Sequence, residues 1–336
     1  MSFRKIPIPT SGSSTTSAPS APAEPTEKEL KAAAERQALA VKQAQTLARL
    51  QQITHQFESR AGTGRFAGKV AIMTGVGSVK GIGRASARLF AKEGARHLYI
   101  LDYMGDGLAE FGQELEGLYP GLKVTAITAD AASEQVIQDL CARAIKEEGR
   151  LDCFFANAGT IGGITMENTS AKVFEKTMSV NGFSCFLAVK YGSEAMKHVS
   201  KEKGEGEGGS IILTASVAGL RSGAGPVDYS MSKASVINLA HTSAQLLGGT
   251  NIRVNAILPG LIETGMTSTT FETARGRGTL GKVGQLNPMR RFGVAEEIAG
   301  VVLFLAGDEA SYVNGVALPV DGGLSSSLPV VPGKFM

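Results

Sequence analysis

Short apolar runs alternate with helix-forming segments from residue 69 onward, and this alternation constrains the fold more than any other feature. "KVAIM" (69–73), "HLYILD" (97–102), "KVTAITAD" (123–130), "LDCFFANAG" (151–159), "SIILTAS" (210–216), "IRVNAILPG" (252–260) and "GVALPVDGG" (315–323) read as strands. Residues 83–94, 107–118, 134–149, 171–199, 228–247 and 295–306 read as helices between them. Continuous apolar runs belong to strands buried on both faces. The expected fold is α/β, a single doubly wound Rossmann domain with a central parallel sheet, whose ligands lie beyond the carboxyl ends of the strands. At 43% hydrophobic and 19% charged, the 336 residues hold enough apolar material for such a core.

Composition also divides the chain. Residues 1–26 are dominated by Ser, Thr, Pro and Ala and cannot offset the entropy of ordering, so a disordered tail is expected. Residues 27–64 form a helical extension and linker. Ala, Leu, Gln, Glu and Lys favour helix over 27–59, and Leu47, Leu50, Ile53 and Phe57 can share one face. A helix packed loosely on the domain is the expectation, with a partner or oligomerisation helix as the alternative. Residues 65–325 make up the domain proper and 326–336 a C-terminal tail. "KEKGEGEGG" (201–209) reads as a polar surface loop.

Several function classes are excluded early. A net charge of +3 leaves no nucleic-acid footprint, and no apolar stretch is long enough to span a bilayer. Cys141, Cys153 and Cys185 are scattered, and His55, His97, His198 and His241 are isolated, so neither a metal site nor a disulfide framework is expected. The start of the chain lacks the Arg-rich amphipathic pattern of a mitochondrial presequence, and a cytoplasmic protein is expected over a mitochondrial one.

"MTGVGSVKGIGRA" (73–85) places Gly75, Gly77, Gly81 and Gly83 between the first strand and the first helix. Glycines let a pyrophosphate approach the backbone, and the helix N-terminus supplies free N–H groups. Glycines also serve plain tight turns, but the next strand ends in Asp102, where an acid can accept hydrogen bonds from an adenosine ribose. Farther along, "YSMSK" sets Tyr229 and Lys233 four apart, on one helix face. A phenol is a poor acid–base group at neutral pH, and a neighbouring ammonium favours its ionised form. Ser216 ends a strand just upstream, where its hydroxyl can bond the same substrate oxygen.

These segments resemble the short-chain dehydrogenase/reductase family from about Phe66 to Leu324. The motifs run in family order: "TG…GIG" (74–83), "LD" (101–102), "AD" (129–130), "NAG" (157–159), "VNG" (180–182), "TAS" (214–216), "YSMSK" (229–233), "PGLIET" (259–264) and "VDGG" (320–323). The resemblance implies an NAD(P)-dependent oxidoreductase that interconverts a secondary alcohol and a ketone. It makes Tyr229 the general acid/base, Lys233 its tuner and a ribose ligand, Ser216 the orienting hydroxyl and Asn181 a proton-relay residue holding a water near Lys233. It gives the cofactor Gly75, Lys80, Gly81, Ile82 and Gly83, Asp102, Asp130 and Ala131, Asn157, Ala158 and Gly159, Tyr229 and Lys233, and Pro259, Gly260, Ile262 and Thr264. It implies a small-molecule alcohol or ketone as substrate and a homodimer or homotetramer. It also makes residues 265–290 a mobile lid, with Met266, Phe271, Leu280 and Val283 available to substrate.

Two alternatives remain at this point: a 3-oxoacyl-thioester reductase of the same family, and a non-catalytic dinucleotide-binding scaffold using the N-terminal helix. The presence of Ser216, Tyr229 and Lys233 argues against the scaffold. The family's enoyl reductases space Tyr and Lys farther apart, and the position seven before Lys233 is Pro226. The glycine loop departs from the usual pattern: five residues, not three, separate Gly75 from Gly81. Within it Lys80 suggests a 2′-phosphate and thus NADP, whereas Asp102 would repel that phosphate. The reading takes NAD, with NADP as the alternative.

Overall fold

Successive residues of the first strand face two different cores. In β1 (Val70–Thr74), Val70 and Ile72 pack on one side of the sheet while Ala71 and Met73 pack on the other. This follows from the two-residue period of a strand and requires helices on both faces. The computed structural model describes residues 26–328. The tail expected over 1–26 lies, apart from Thr26, outside the described residues, as does most of 326–336.

The strands are β1, β2 (His97–Asp102), β3 (Lys123–Thr128), β4 (Cys153–Ala156), β5 (Gly209–Thr214), β6 (Ile252–Pro259), the short pair β7 (Ile262–Glu263) and β8 (Gly293–Val294), and β9 (Ala317–Val320). Seven of them form one parallel sheet in the order β3-β2-β1-β4-β5-β6-β9. The helices are α1 (Glu27–Ser59), α2 (Ile82–Lys92), α3 (Leu108–Leu118), α4 (Glu134–Glu148), α5 (Ala171–Met178), α6 (Ser184–Met196), α7 (Val227–Leu246), α8 (Ser268–Gly276) and α9 (Ala295–Ala306). One core joins the sheet to α4, α6 and α7 through Leu140, Leu187 and Val236. The other joins it to α2, α3 and α9 through Phe90, Phe111 and Val302. The strand order reverses direction between β1 and β4, which makes the carboxyl ends of these two strands the natural ligand crevice. Among the described residues no helix is long and apolar enough to cross a membrane.

Three local readings need correction. The single helix expected over 171–199 is broken: a π-helical turn at Ser179–Phe183 separates α5 from α6. The segment expected to be a mobile lid is largely folded, with a turn at Gly265–Thr267, then α8, then a turn at Leu280–Lys282. Phe271 and Leu280 do not face substrate space, because both are buried against Leu50, Ala274 and Phe292. Finally, the 201–209 loop is not wholly solvated: Lys203 is buried and its Nζ donates to the Leu151 carbonyl at 2.7 Å.

Candidate active site

The sheet's reversal point opens into a cleft of about 680 Å³. At one end lie Gly75, Gly77, Ser78, Gly81, Ile82 and Asp102, and at the other Ser216, Tyr229 and Lys233. Gly75 is needed for two reasons. Its φ is +72°, and a Cβ there would stand 2.8 Å from the Ala158 nitrogen. α2 opens on Gly81 with no side-chain cap and no acidic residue in its first turn, so its N–H groups are open to an anion. These features fit a dinucleotide pyrophosphate.

Asn157 ties three strands together at the floor. Its N–H donates to Thr74 Oγ1 at 3.0 Å, its Nδ2 to the Gly75 carbonyl at 3.0 Å, and its Oδ1 accepts from Thr214 Oγ1 at 3.1 Å. Ala158 completes the tie through its own N–H to Thr74 Oγ1. Lys233 is buried, donates to the Thr214 carbonyl at 2.7 Å, and sits 5.6 Å from the centroid of the Tyr229 ring. Ser216 lies two residues beyond β5, with its hydroxyl accepting from the Ala218 N–H at 3.2 Å. A carbonyl oxygen thus holds the ammonium under the phenol.

The structure brings most of the sequence-selected residues to this cleft: Gly75, Gly81, Ile82, Asp102, Asn157, Gly159, Ser216, Tyr229, Lys233, Pro259, Gly260, Ile262 and Thr264 all line it. It does not bring six others. Lys80 turns away, with its Nζ 3.5 Å from Glu263 Oε1 in a separate recess beside Arg84 and Arg88. Asp130 is exposed and closes a turn by accepting from the Ala132 N–H at 2.8 Å, and Ala131 is packed in the core. Gly83 lies behind the loop, where a Cβ would stand 2.2 Å from the Gly75 carbonyl oxygen. Ala158 stays behind the floor on its bond to Thr74. Asn181, in the π turn, is fully buried: its Nδ2 donates to the Thr160 carbonyl and Ser232 Oγ, each at 2.9 Å, and its Oδ1 accepts from the Thr160 N–H at 2.8 Å.

Sequence reasoning missed Met104, Asp106, Thr214 and Thr267, which also line the cleft. It missed Asp228 as well. This buried carboxylate accepts from Thr177 Oγ1 at 2.7 Å and from the Gly163 N–H at 3.2 Å, fixing the 160–166 segment to the start of α7.

A family model described as enoyl-(acyl carrier protein) reductase matches residues 75–325. The chain belongs to the short-chain dehydrogenase/reductase family. Levodione reductase of Leifsonia aquatica is 36% identical over 269 residues, covering 79% of this chain and 97% of the relative. A crystal structure of levodione reductase superposes with a TM-score of 0.70 at 34% identity, covering 78% of this chain and all of that one. The 3-oxoacyl-(acyl-carrier-protein) reductase FabG of Thermotoga maritima is 36% identical over 260 residues, 77% of this chain and 99% of the relative. L-sorbose reductase from Gluconobacter frateurii, solved with NADPH and L-sorbose, gives a TM-score of 0.70 at 29% identity over 78% of this chain and 98% of that one. As a short-chain dehydrogenase/reductase, the chain is an NAD(P)-dependent oxidoreductase acting on CH–OH groups. α1 precedes the residues that the family model matches.

Proposed function

We propose that the protein interconverts a secondary alcohol and a ketone of small-molecule size, with Tyr229 as the proton-transferring residue. The observation that carries this reading is the convergence of Ser216, Tyr229 and Lys233 at one end of a cleft whose other end is the glycine loop and Asp102. A bound nicotinamide supplies or accepts the hydride. In reduction, the Tyr229 hydroxyl donates its proton to the substrate carbonyl oxygen as the carbon gains the hydride, and in oxidation it takes that proton back. Lys233, anchored on the Thr214 carbonyl, stabilises the negative charge that develops on the Tyr229 oxygen. Its remaining N–H groups are free to hold ribose hydroxyls. Ser216 hydrogen-bonds the same substrate oxygen and fixes its direction. Asn181 contributes by locking Thr160 and Ser232 beside the pair.

NAD is the favoured dinucleotide. The cleft is lined by two acids, Asp102 and Asp106, and by one cation, Lys233, at the catalytic end. A 2′-phosphate would meet Asp102 with no lining cation beside it.

The enoyl chemistry named by the family model is not favoured, because the Tyr229–Lys233 spacing is that of the carbonyl reductases and Pro226 occupies the alternative tyrosine position. A 3-oxoacyl-thioester reductase is the second reading, supported by the Thermotoga relative. Phe183, Phe186 and Met231 leave apolar surface exposed around the π turn, α6 and α7, which suits pairing with a second copy. Buried free thiols at Cys141, Cys153 and Cys185 suit the cytoplasm.

A screen of secondary alcohols, ketones and 3-oxoacyl thioesters with both dinucleotides, read by nicotinamide absorbance, tests the reading. Turnover of simple ketones or alcohols with NAD(H) supports it. Turnover confined to thioesters selects the second reading, and no turnover of any class overturns both.

A further inference from the structure

α1 is joined to the domain at four places, and two of them are on the lid. Its C-terminal carbonyls, on Phe57 and Glu58, accept from Lys92 Nζ at 2.7 and 2.9 Å. The Phe57 ring lies against Gly300 of α9, where an added Cβ would stand 3.2 Å from it. Farther up the helix, Leu50 is buried in a cluster with Phe271 and Ala274 of α8, with Leu280, and with Phe292. Two turns beyond that, Gln43 packs on Gly281, whose added Cβ would come within 3.0 Å of Gln43 Cβ. α8 follows directly on Gly265, Met266 and Thr267, which line the cleft, and the turn at Leu280 follows α8.

The lid therefore has two halves. The front half faces the cleft. The back half has its apolar residues covered by a helix outside the residues that the family model matches. We propose that α1 is a strap that holds the lid in place, and that Leu50 is a positioning residue for substrate binding, acting through Phe271 and Leu280. A segment with few buried contacts opens locally at little cost in free energy, whereas one pinned by a buried cluster does not. A lid already ordered need not be ordered again when substrate arrives, so the strap lowers KM rather than raising kcat. The inference rests on the reading of the cleft as the substrate site.

The test uses the full-length protein with Leu50→Ala, and with Leu50→Met as the volume-conserving control. Leu50→Val, a milder truncation, replaces Leu50→Ala if that variant does not fold. Backbone hydrogen exchange is followed over 265–284 and over β4 and β5, together with KM, kcat and dinucleotide affinity. The expected result is exchange over 268–283 faster by about tenfold or more with β4 and β5 unchanged. KM for the alcohol or ketone should rise about fivefold or more while kcat and dinucleotide affinity stay within about twofold. Leu50→Met should restore both. Unchanged lid exchange overturns the strap, as does exchange raised equally throughout the domain. Faster lid exchange with an unchanged KM overturns the positioning role. The exchange measurement needs no turnover, so a failure of the proposed chemistry leaves it able to decide the strap.

Discussion

The Gly77 N–H donates to Asp102 Oδ2 at 2.7 Å, and the other carboxylate oxygen accepts from the Met104 N–H at 2.9 Å. A Cβ on Gly77 would stand 2.7 Å from Asp102 Cγ, so the lengthened loop is seated on this acid. Lys80, four residues after that glycine's neighbour Val76, pairs instead with Glu263 and stays well exposed. Cofactor choice should therefore follow Asp102. Asp102→Asn is expected to lower KM for NADPH relative to NADH by about tenfold, because like-charge juxtaposition costs several kcal/mol. Lys80→Ala should leave that ratio within about twofold, since exposed pairs are weak. Steady-state KM values for both dinucleotides check the two variants together.

Asn181 links the 160 segment to α7. Ser232 Oγ, which accepts from Asn181 Nδ2, itself donates to the Tyr229 carbonyl at 2.7 Å. Asn181→Ala would leave the Thr160 amide and carbonyl without their side-chain partner. The expected cost is about 2–3 kcal/mol of stability, read from urea midpoints, with a parallel fall in kcat. Wild-type stability in that variant would contradict the account of the π turn.

His97 predicts the acid limit of stability. Burial holds its imidazole below the ordinary 6.5, against the opposing pull of Glu148. The neutral ring suits its surroundings: Nδ1–H donates to Glu148 Oε1 at 3.0 Å, and Nε2 accepts from Thr125 Oγ1 at 2.9 Å. Above 6.5 both folded and unfolded chains carry a neutral ring. As the pH falls from there toward the depressed folded value, the unfolded chain takes a proton that the folded one refuses, and stability is lost. Urea midpoints from pH 7.5 down to 5.5 should fall for the wild type and fall less for His97→Gln.

The seven-stranded sheet was legible because its strands are short and mostly apolar and alternate with helix-forming segments, and runs such as "VAIM" survive only where both faces are covered. Ser216, Tyr229 and Lys233 were legible as a group because strand ends and helix faces have fixed geometry. What escaped was set by partners distant in sequence. Lys80 pairs with Glu263, and Phe271 and Leu280 of the 265–290 segment are buried against Leu50, more than two hundred residues upstream. The π turn has no propensity signature, since its gain lies in the bonds that Asn181 makes to Thr160 and Ser232. Asp130 and Ala131 are expected at the cofactor from the family resemblance alone; Asp130 is exposed and accepts from the Ala132 N–H, and Ala131 packs in the core.

Tyr229→Phe tests the central claim most directly. The substitution removes one hydroxyl from a ring that stays seated in the cleft near Lys233. Turnover by the variant is measured with the best substrate from the screen, and dinucleotide affinity is measured alongside by calorimetry. The account predicts turnover lowered by at least about a hundredfold, with dinucleotide affinity within about twofold of the wild type. Turnover near the wild-type rate in a variant that still binds the dinucleotide would contradict it.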